Sequence, residues 1–250
     1  MDNTDYALQV AEKHLFSLKA KRPLEGAVCL ELGPGDSLAS AVVAHAYGAG
    51  KFYLVDTGKF ANTNLAVYAE ITKKLREKEA DAADFSTTTS IEEMLDLINS
   101  KYLTKGIKSL ELIESNSIDF IWSQAVLEHI RIADLDALFT EMFRILKPGS
   151  YMSHSIDFKD HLGGGLNNLR FSKRVWESDL MANSGFYTNR VRYSEMLQKL
   201  ENAGFNIISA EAEKWENTKI SRKELAKEFK NLSQDDILTY RGNIKTISLR

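Results

Sequence analysis

Short apolar runs alternate along the chain with longer stretches in which apolar residues recur every three or four positions. The short runs predict buried β-strands, and the longer stretches predict amphipathic helices. Strands that alternate with helices are typical of a parallel sheet covered by helices on both faces. The sequence contains no internal repeat and no low-complexity linker. We therefore expect an α/β fold in which residues 1–250 form a single domain.

The same pattern predicts the order of the elements. The N-terminal helix is expected within about 5–20, and residues 221–240 are expected to form one or two charged helices with a solvated face. The tripeptide "KPG" is expected to end the helix that precedes it. The other predicted helices are 37–47, 65–79, 90–98, 135–146 and 193–203, and the predicted strands are 27–32, 52–55, 101–104, 117–123, 151–156, 205–210 and 244–249.

Composition narrows the classes of function. The formal net charge of −3 gives no reason to expect a nucleic-acid partner. The only cysteine, Cys29, cannot form an internal disulfide, and we interpret it as a small core residue in a reducing compartment. The N-terminus lacks the features of a secretory signal, and no stretch is long and apolar enough to span a bilayer. We expect a cytoplasmic protein without a membrane partner.

The segment "CLELGPGDS" lies at the first strand-to-helix turn, where open α/β sheets bind their ligands. Glycines allow a ligand to approach the backbone closely, and a helix start offers N–H groups to an anion. The dinucleotide fingerprint needs a third glycine, but that position holds Leu38. Glu31 and Asp36 flank Gly33 and Gly35, which disfavours a pyrophosphate and favours a cationic ligand. S-adenosylmethionine fits, because it carries a sulfonium and an ammonium and has no phosphate.

Asp56 ends the second predicted strand in "FYLVDTG". A carboxylate about 20 residues beyond the glycines can accept hydrogen bonds from ribose hydroxyls. Asp56 does not distinguish S-adenosylmethionine from a dinucleotide, because both contain a ribose. The alternative is that Asp56 is a turn residue before Gly58.

Four segments, in the order "LELGPGDS", "VDTG", "SNSIDFIWSQAVLEHI" and "MFRILKPGSYM", resemble motifs of the class I S-adenosylmethionine-dependent methyltransferases, in their small-molecule, type 11-like group. They lie within about 26–157, and "YSEMLQKLENAGF" extends the similarity. The resemblance implies a Rossmann-like, doubly wound, seven-stranded sheet, mostly parallel with an antiparallel last strand that "IKTISLR" could supply. It also implies S-adenosylmethionine as the cofactor and these cofactor-binding residues: Glu31, Gly33, Gly35, Asp36, Asp56, Thr57, Ile107, Leu110, Ser123 and Gln124.

The segment beyond the third strand departs from the family pattern. The family often has an acidic residue soon after a glycine there, which holds the adenine amino group. In this chain Ile107 follows Gly106. In this register, apolar contact with Ile107 and Leu110, together with backbone groups, would hold the adenine. The alternative is that Ile107 belongs to the core.

Methyl transfer to a hydroxyl requires alignment of the acceptor, exclusion of water and removal of a proton. His129 follows the fourth strand and His161 follows the fifth, and an imidazole titrates near neutral pH. We predict both as catalytic residues, with Asp160 orienting His161. The alternatives are a packing histidine at a helix start for His129 and an ordinary flexible connection for the loop of His161. His14 and His45 lie on predicted helices, and we interpret both as structural.

A metal site is the other interpretation of the acids and histidines around the fifth strand, namely His154, Asp157, Asp160 and His161. Alternation along a strand sends His154 and Asp157 to opposite faces. We therefore predict no metal ligands.

Two insertions, at about 158–192 and 215–240, are predicted on the acceptor side. Arginines beside aromatic residues in the first insertion suggest a polar, anionic or glycosylated acceptor, although a solvated insertion or a subunit contact would have a similar sequence. We predict methyl transfer to an oxygen, or with less support a nitrogen, of a small polar molecule or sugar. The alternatives are an NAD(P)-dependent Rossmann oxidoreductase and a catalytically inactive S-adenosylmethionine-binding protein. The sequence leaves the oligomeric state open, a homodimer included.

Overall fold

Seven strands form one sheet in the computed structural model, which describes residues 4–19 and 23–249. Their order in the sheet is β3-β2-β1-β4-β5-β7-β6. β1 pairs in parallel with β2 and with β4, β2 pairs in parallel with β3, and the last strands are antiparallel. The predicted fold class is confirmed. The strands are β1 (Val28–Leu32), β2 (Lys51–Val55), β3 (Ser100–Leu103), β4 (Ile118–Gln124), β5 (Leu146–Asp157), β6 (Phe205–Lys214) and β7 (Thr239–Ser248).

Helices connect most of these strands, as the apolar periodicity predicted. Short 3₁₀ turns add Leu127–His129, Asn167–Arg170, Arg222–Glu224 and Lys227–Phe229. No helix within the described residues is long and apolar enough to cross a membrane. The α-helices are α1 (Thr4–Lys19), α2 (Ala39–Ala46), α3 (Leu65–Glu77), α4 (Ile91–Leu97), α5 (Ile107–Leu110), α6 (Leu135–Ile145), α7 (Lys173–Trp176), α8 (Asp179–Ala182), α9 (Tyr193–Asn202) and α10 (Gln234–Leu238).

One core cluster includes Cys29 of β1, Phe52 of β2 and Trp122 of β4. The last four residues of β1 are buried. α2 consists mainly of alanine and valine, and only His45 among its residues is not buried, so this helix can lie close to the sheet. α4 begins after Ser90, whose side chain accepts a hydrogen bond from the amide of Glu93 and so satisfies one free donor of the helix start. Cys29 is buried in the same cluster, as predicted.

The chain divides into two compact units. The first unit comprises the described parts of 1–124, 141–153 and 248–250, and the second comprises 125–140 and 154–247. All ten residues predicted to bind the cofactor belong to the first unit, and the three predicted catalytic residues belong to the second.

Some element boundaries differ from the predictions. "KPG" does not form a separate stop: α6 ends at Ile145, and residues 147–149 already belong to β5. Pro148 is exposed there, and proline is tolerated near the start of a strand. Residues 221–240 form two 3₁₀ turns and α10 instead of a solvated helical face. Leu225 and Ile237 of this segment are buried in a small apolar cluster of the second unit, which accounts for its irregular path.

Candidate functional site

The glycine loop after β1 leaves open space beside its backbone. Gly33 and Gly35 have φ angles of 64° and 63°, a left-handed conformation that favours glycine. A Cβ atom built on Gly35 meets no atom within 4 Å. The amide of Gly33 donates to the carbonyl of Val55 at 2.8 Å, which fixes the loop against the end of β2. The loop therefore has a defined shape and room for a ligand at Gly35.

The carboxylate of Asp56 joins the ends of β1 and β2. Its Oδ2 accepts a hydrogen bond from the amide of Gly35 at 3.1 Å, and its Oδ1 accepts one from the amide of Thr57 at 2.7 Å. Oδ1 also accepts the Thr57 hydroxyl at 3.4 Å. Because a carboxylate offers about four lone-pair sites, Asp56 has capacity for about one further donor, and for a second when the Thr57 hydroxyl turns away. This arrangement suits a diol such as a ribose.

Glu31 is a buried acid within β1, with 7% of its surface exposed. The pKa of its carboxyl is raised to about 7, chiefly by burial and to a smaller extent by the Asp56 carboxylate, against the opposing hydrogen bond donated by the Ser40 hydroxyl. A cation bound nearby favours the ionised form of such an acid. Asp36, half-buried at the other end of the loop, accepts the amide of Asn62 on its backbone carbonyl at 2.8 Å.

The turn after β3 is held against the end of β2. The amide of Gly106 donates to the carbonyl of Asp56 at 2.8 Å, and a Cβ atom built on Gly106 would lie 3.3 Å from Cγ2 of Thr57. Ile107 at the start of α5 is half-buried, whereas Leu110 is fully buried. Ile107 thus has surface that a ligand could cover, and Leu110 contributes from within the core.

The end of β4 contacts the N-terminal helix. Ser123 is fully buried, and Oε1 of Gln124 lies 3.2 Å from Nε2 of His14. The other ring nitrogen of His14 lies 2.9 Å from the hydroxyl of Ser153, and its ring stacks on Trp122 at 6.1 Å with an interplanar angle of 6°. His14 is therefore structural, as predicted, and it fixes the side chain of Gln124.

In the second unit, the two predicted catalytic histidines lie side by side. Their ring centroids are 5.0 Å apart, with an interplanar angle of 54°. Nδ1 of His129 lies 3.3 Å from the carbonyl oxygen of Tyr187, and Nδ1 of His161 lies 3.3 Å from that of Gly185. The structure thus brings together two residues that are 32 positions apart in the sequence (161 − 129).

The carbonyl contacts determine which ring nitrogen can accept a proton. A nitrogen that faces a carbonyl oxygen must carry the hydrogen, so Nε2 becomes the acceptor. Burial and the neighbouring His161 lower the pKa of His129, against the opposing effects of the Tyr187 hydrogen bond and the Asp157 carboxylate. His129 is therefore neutral at neutral pH, with Nε2 in the form that a general base requires.

Asp160 is buried and holds the loop that follows it. Its carboxylate accepts hydrogen bonds from the amides of Leu162 at 2.9 Å, Gly165 at 3.2 Å and Asn167. The His161 ring faces the Gly185 carbonyl and not the Asp160 carboxylate. Asp160 therefore holds the loop backbone and does not orient the His161 ring directly. Within residues 4–19 and 23–249 no group of three His, Cys, Asp or Glu side chains could hold a metal ion.

The sequence analysis assigned no role to Glu128, yet its pKa is among the most strongly shifted in the second unit. It is 4% exposed, and its Oε1 accepts the amide of Asp157 at 3.1 Å. Burial raises the pKa of this carboxyl to about 8, and its Oε2 has no hydrogen-bond partner among the residues that the structure describes. An acid inside the apolar run "AVLEHI" was the signal that could have identified it.

Of the arginines in the first insertion, Arg170 and Arg174 are exposed, whereas two others are buried and contribute no acceptor surface. Arg192 is 2% exposed, and its guanidinium donates to the carbonyls of Asp236, Phe158 and Thr239. Burial lowers its pKa to about 10. Arg190 is also buried. Both side chains hold the insertion together, because carbonyl groups that turn inward need donors.

A family of proteins described as a methyltransferase domain matches residues 30–153. No curated protein sequence matches the chain. Among solved structures, the chain is similar to an S-adenosylmethionine-dependent methyltransferase from Mesorhizobium loti, with 16% identity and a TM-score of 0.51 over 95% of this chain and 97% of that chain.

Two further structures share the fold. A SAM-dependent methyltransferase from Methanosarcina mazei is 16% identical, with a TM-score of 0.52 over 91% of this chain and 95% of that chain. An N-methyltransferase from Haemonchus contortus, solved with phosphomonomethylethanolamine and S-adenosylhomocysteine, is 18% identical, with a TM-score of 0.50 over 96% of this chain and 53% of that chain. At these identities the likeness concerns the fold alone.

Proposed function

We propose that this chain, which belongs to the methyltransferase domain family through residues 30–153, is an enzyme. It uses S-adenosylmethionine to methylate a small polar molecule or a sugar. The preferred acceptor atom is an oxygen, and nitrogen is the second choice. The observation that carries the proposal is the buried acid Glu31 beside a glycine loop that lacks the third glycine of a dinucleotide site.

The residues of the first unit fit this cofactor. Glu31 offers a carboxyl group that ionises when a cation is near, which suits an ammonium. Gly35 leaves open space beside the loop, and Asp56 can accept one ribose hydroxyl directly and a second in place of the Thr57 hydroxyl. When bound, S-adenosylmethionine supplies a methyl group that its sulfonium already activates. The residues proposed to hold it are Glu31, Gly33, Gly35, Asp36, Asp56, Thr57, Ile107, Leu110, Ser123 and Gln124.

The second unit supplies the proposed general base. Nε2 of His129 accepts the proton of the acceptor hydroxyl, because the Tyr187 carbonyl keeps the hydrogen of the free ring on Nδ1. Burial, together with the neighbouring His161 ring, lowers the pKa of His129, which favours the neutral imidazole. Asp160 holds the loop in which His161 lies.

The remaining sequence-based predictions belong to the same proposal. The enzyme is cytoplasmic, its residues 1–250 form a single methyltransferase domain, and its acceptor is a small molecule or a glycan. The formal net charge of −3 supports an acceptor other than nucleic acid. The Haemonchus contortus enzyme is by name an N-methyltransferase, which is why amines belong among the acceptors to be tested.

Two measurements test the proposal. Calorimetric titration of the purified chain with S-adenosylmethionine, S-adenosylhomocysteine and NADH should give binding of the first two and none of NADH. Transfer of a labelled methyl group to a panel of hydroxyl and amine acceptors should then favour a hydroxyl compound. Binding of NADH alone would instead support an oxidoreductase. Cofactor binding with no transfer to any acceptor would support an inactive S-adenosylmethionine-binding protein.

A further inference from the structure

One asparagine of the second unit holds the turn that contains His129. Asn189 is 2% exposed, and its Nδ2 donates to the carbonyls of Leu127 at 2.7 Å and Ile130 at 3.0 Å. Its backbone amide donates to the carbonyl of Glu128 at 2.7 Å. Three carbonyl groups that bracket His129 therefore receive their hydrogen bonds from a single residue.

The orientation of the Asn189 amide is determined by its neighbours. Its Oδ1 accepts a hydrogen bond from the amide of Val191 at 3.1 Å, so the oxygen must face that N–H group. The NH₂ group then faces the two carbonyls of the turn, and both of its hydrogens are used. An aspartate in this position could not donate, and an alanine would leave two buried carbonyls without these donors.

The same segment also holds the imidazole ring. The carbonyl oxygen of Tyr187, two residues before Asn189, lies 3.3 Å from Nδ1 of His129. Asn189 thus fixes the backbone on both sides of His129 and anchors the segment whose carbonyl faces the ring. A change in this anchor moves the ring and the carbonyl relative to each other.

We propose that Asn189 is a positioning residue for His129: its two side-chain hydrogen bonds hold the turn Leu127–His129 against residues 187–189 so that Nδ1 carries the hydrogen and Nε2 accepts the proton. The inference rests on the proposed function, in which His129 is the general base. Asn189 acts through His129 and needs no contact with the acceptor.

The test is the tautomer of His129 in the full-length chain without cofactor or acceptor. Nitrogen NMR of the ¹⁵N-histidine-labelled protein distinguishes a protonated Nδ1 from a protonated Nε2, and the His129 signals are assigned by their absence in His129→Gln. In the unmodified chain we expect the hydrogen on Nδ1. In Asn189→Ala we expect a mixture of both tautomers and a changed titration midpoint.

Asn168→Ala is the matched control. Asn168 is 1% exposed in the same unit, and its side chain donates to the hydroxyl of Thr188 and not to the turn of His129. We expect this variant to lose stability as Asn189→Ala does, yet to keep the original His129 tautomer. If Asn189→Ala fails to fold by circular dichroism, Asn189→Ser, which keeps one hydroxyl donor, is measured in its place.

An unchanged tautomer and titration in the folded Asn189 variant would overturn the inference, and so would an equal change in Asn168→Ala. In an activity assay, Asn189→Ala should lower kcat by up to roughly 100-fold, the cost of a displacement of about 1 Å, with unchanged cofactor affinity. If the unmodified chain transfers no methyl group, the proposed function fails, while the NMR result still decides the role of Asn189.

Discussion

Replacing Glu31 by glutamine tests the electrostatics of the proposed cofactor site. The residue lies within β1 and is 7% exposed, and the Ser40 hydroxyl donates to its carboxyl group. Glutamine has nearly the same shape and retains an oxygen that can accept this hydrogen bond. The substitution therefore removes the titration of the side chain while it preserves the local packing.

The magnitude follows from the pKa of Glu31, which burial raises from 4.5 to about 7. The pKa of Glu31 is higher in the folded than in the unfolded state, so protonated Glu31 favours the folded protein. This contribution to the unfolding free energy is fully present below pH 4.5 and is lost as the pH rises through 7. One pKa unit corresponds to about 1.36 kcal/mol. The ionisation of Glu31 should therefore cost the cofactor-free protein about 3 kcal/mol of unfolding free energy, most of it between pH 5 and pH 8.

Urea unfolding at pH 5 and pH 8 measures this cost. From pH 5 to pH 8 the unmodified chain should lose at least about 2 kcal/mol more unfolding free energy than Glu31→Gln loses. All other titrating groups are common to both proteins, so their contributions cancel in the comparison. Identical pH dependence of the two proteins would show that Glu31 is already ionised in the folded state and would refute the reasoning.

A matched substitution is available in the second unit. Burial raises the pKa of Glu128 to about 8. Its ionisation should therefore lower the unfolding free energy, as that of Glu31 does, but over a range that extends to higher pH. Glu128→Gln should therefore reduce the pH dependence of the unfolding free energy up to about pH 9, roughly one unit above the pKa of Glu128. It should leave the affinity for S-adenosylmethionine unchanged, whereas Glu31→Gln should weaken it.

Three further substitutions, the last of them with a control, test separate parts of the molecule. Asp56→Ala should weaken cofactor binding at least about tenfold, because hydrogen bonds to a charged group contribute roughly 1.5–3 kcal/mol each, and unchanged affinity by calorimetry would remove the ribose assignment. His161→Ala should lower turnover more than cofactor affinity, and full turnover would exclude it from the site. Arg192→Met should lower the unfolding free energy by at least about 3 kcal/mol, because three buried carbonyls lose their donors. The exposed Arg174→Met should change it by less than about 0.5 kcal/mol.

The order of the elements could be predicted because the spacing of apolar residues within each segment shows which of its positions are buried. Four consecutive residues of β1 are buried, and the cap and the apolar positions of the helix after Ser90 can both be read from the sequence. The end of β6 could not be predicted in this way. Three of residues 211–214 are charged, and none of the four is buried. Such residues stay in a strand through hydrogen bonds to a partner strand, which hydropathy does not show.

The candidate site shows the same division. Gly35 and Asp56 could be predicted as site residues because the conformation of a tight turn and the end of a strand are local properties. The role of Asn189 was not, because its hydrogen bond to Leu127 joins residues 62 positions apart. The burial of Arg192 could not be predicted, because sequence shows a charge but not whether backbone carbonyls surround it.

The glycine run after β5 has a consequence for the thermodynamics of acceptor binding. Gly163 and Gly164 have φ angles of 118° and 74°, and the buried carboxylate of Asp160 gathers backbone amides on both sides of them. The glycines therefore permit a fixed backbone path, and the loop is ordered when the chain folds. An acceptor that reaches His161 need not supply the entropy of ordering this loop, so its binding should show little of the entropic penalty that accompanies closure of a mobile lid.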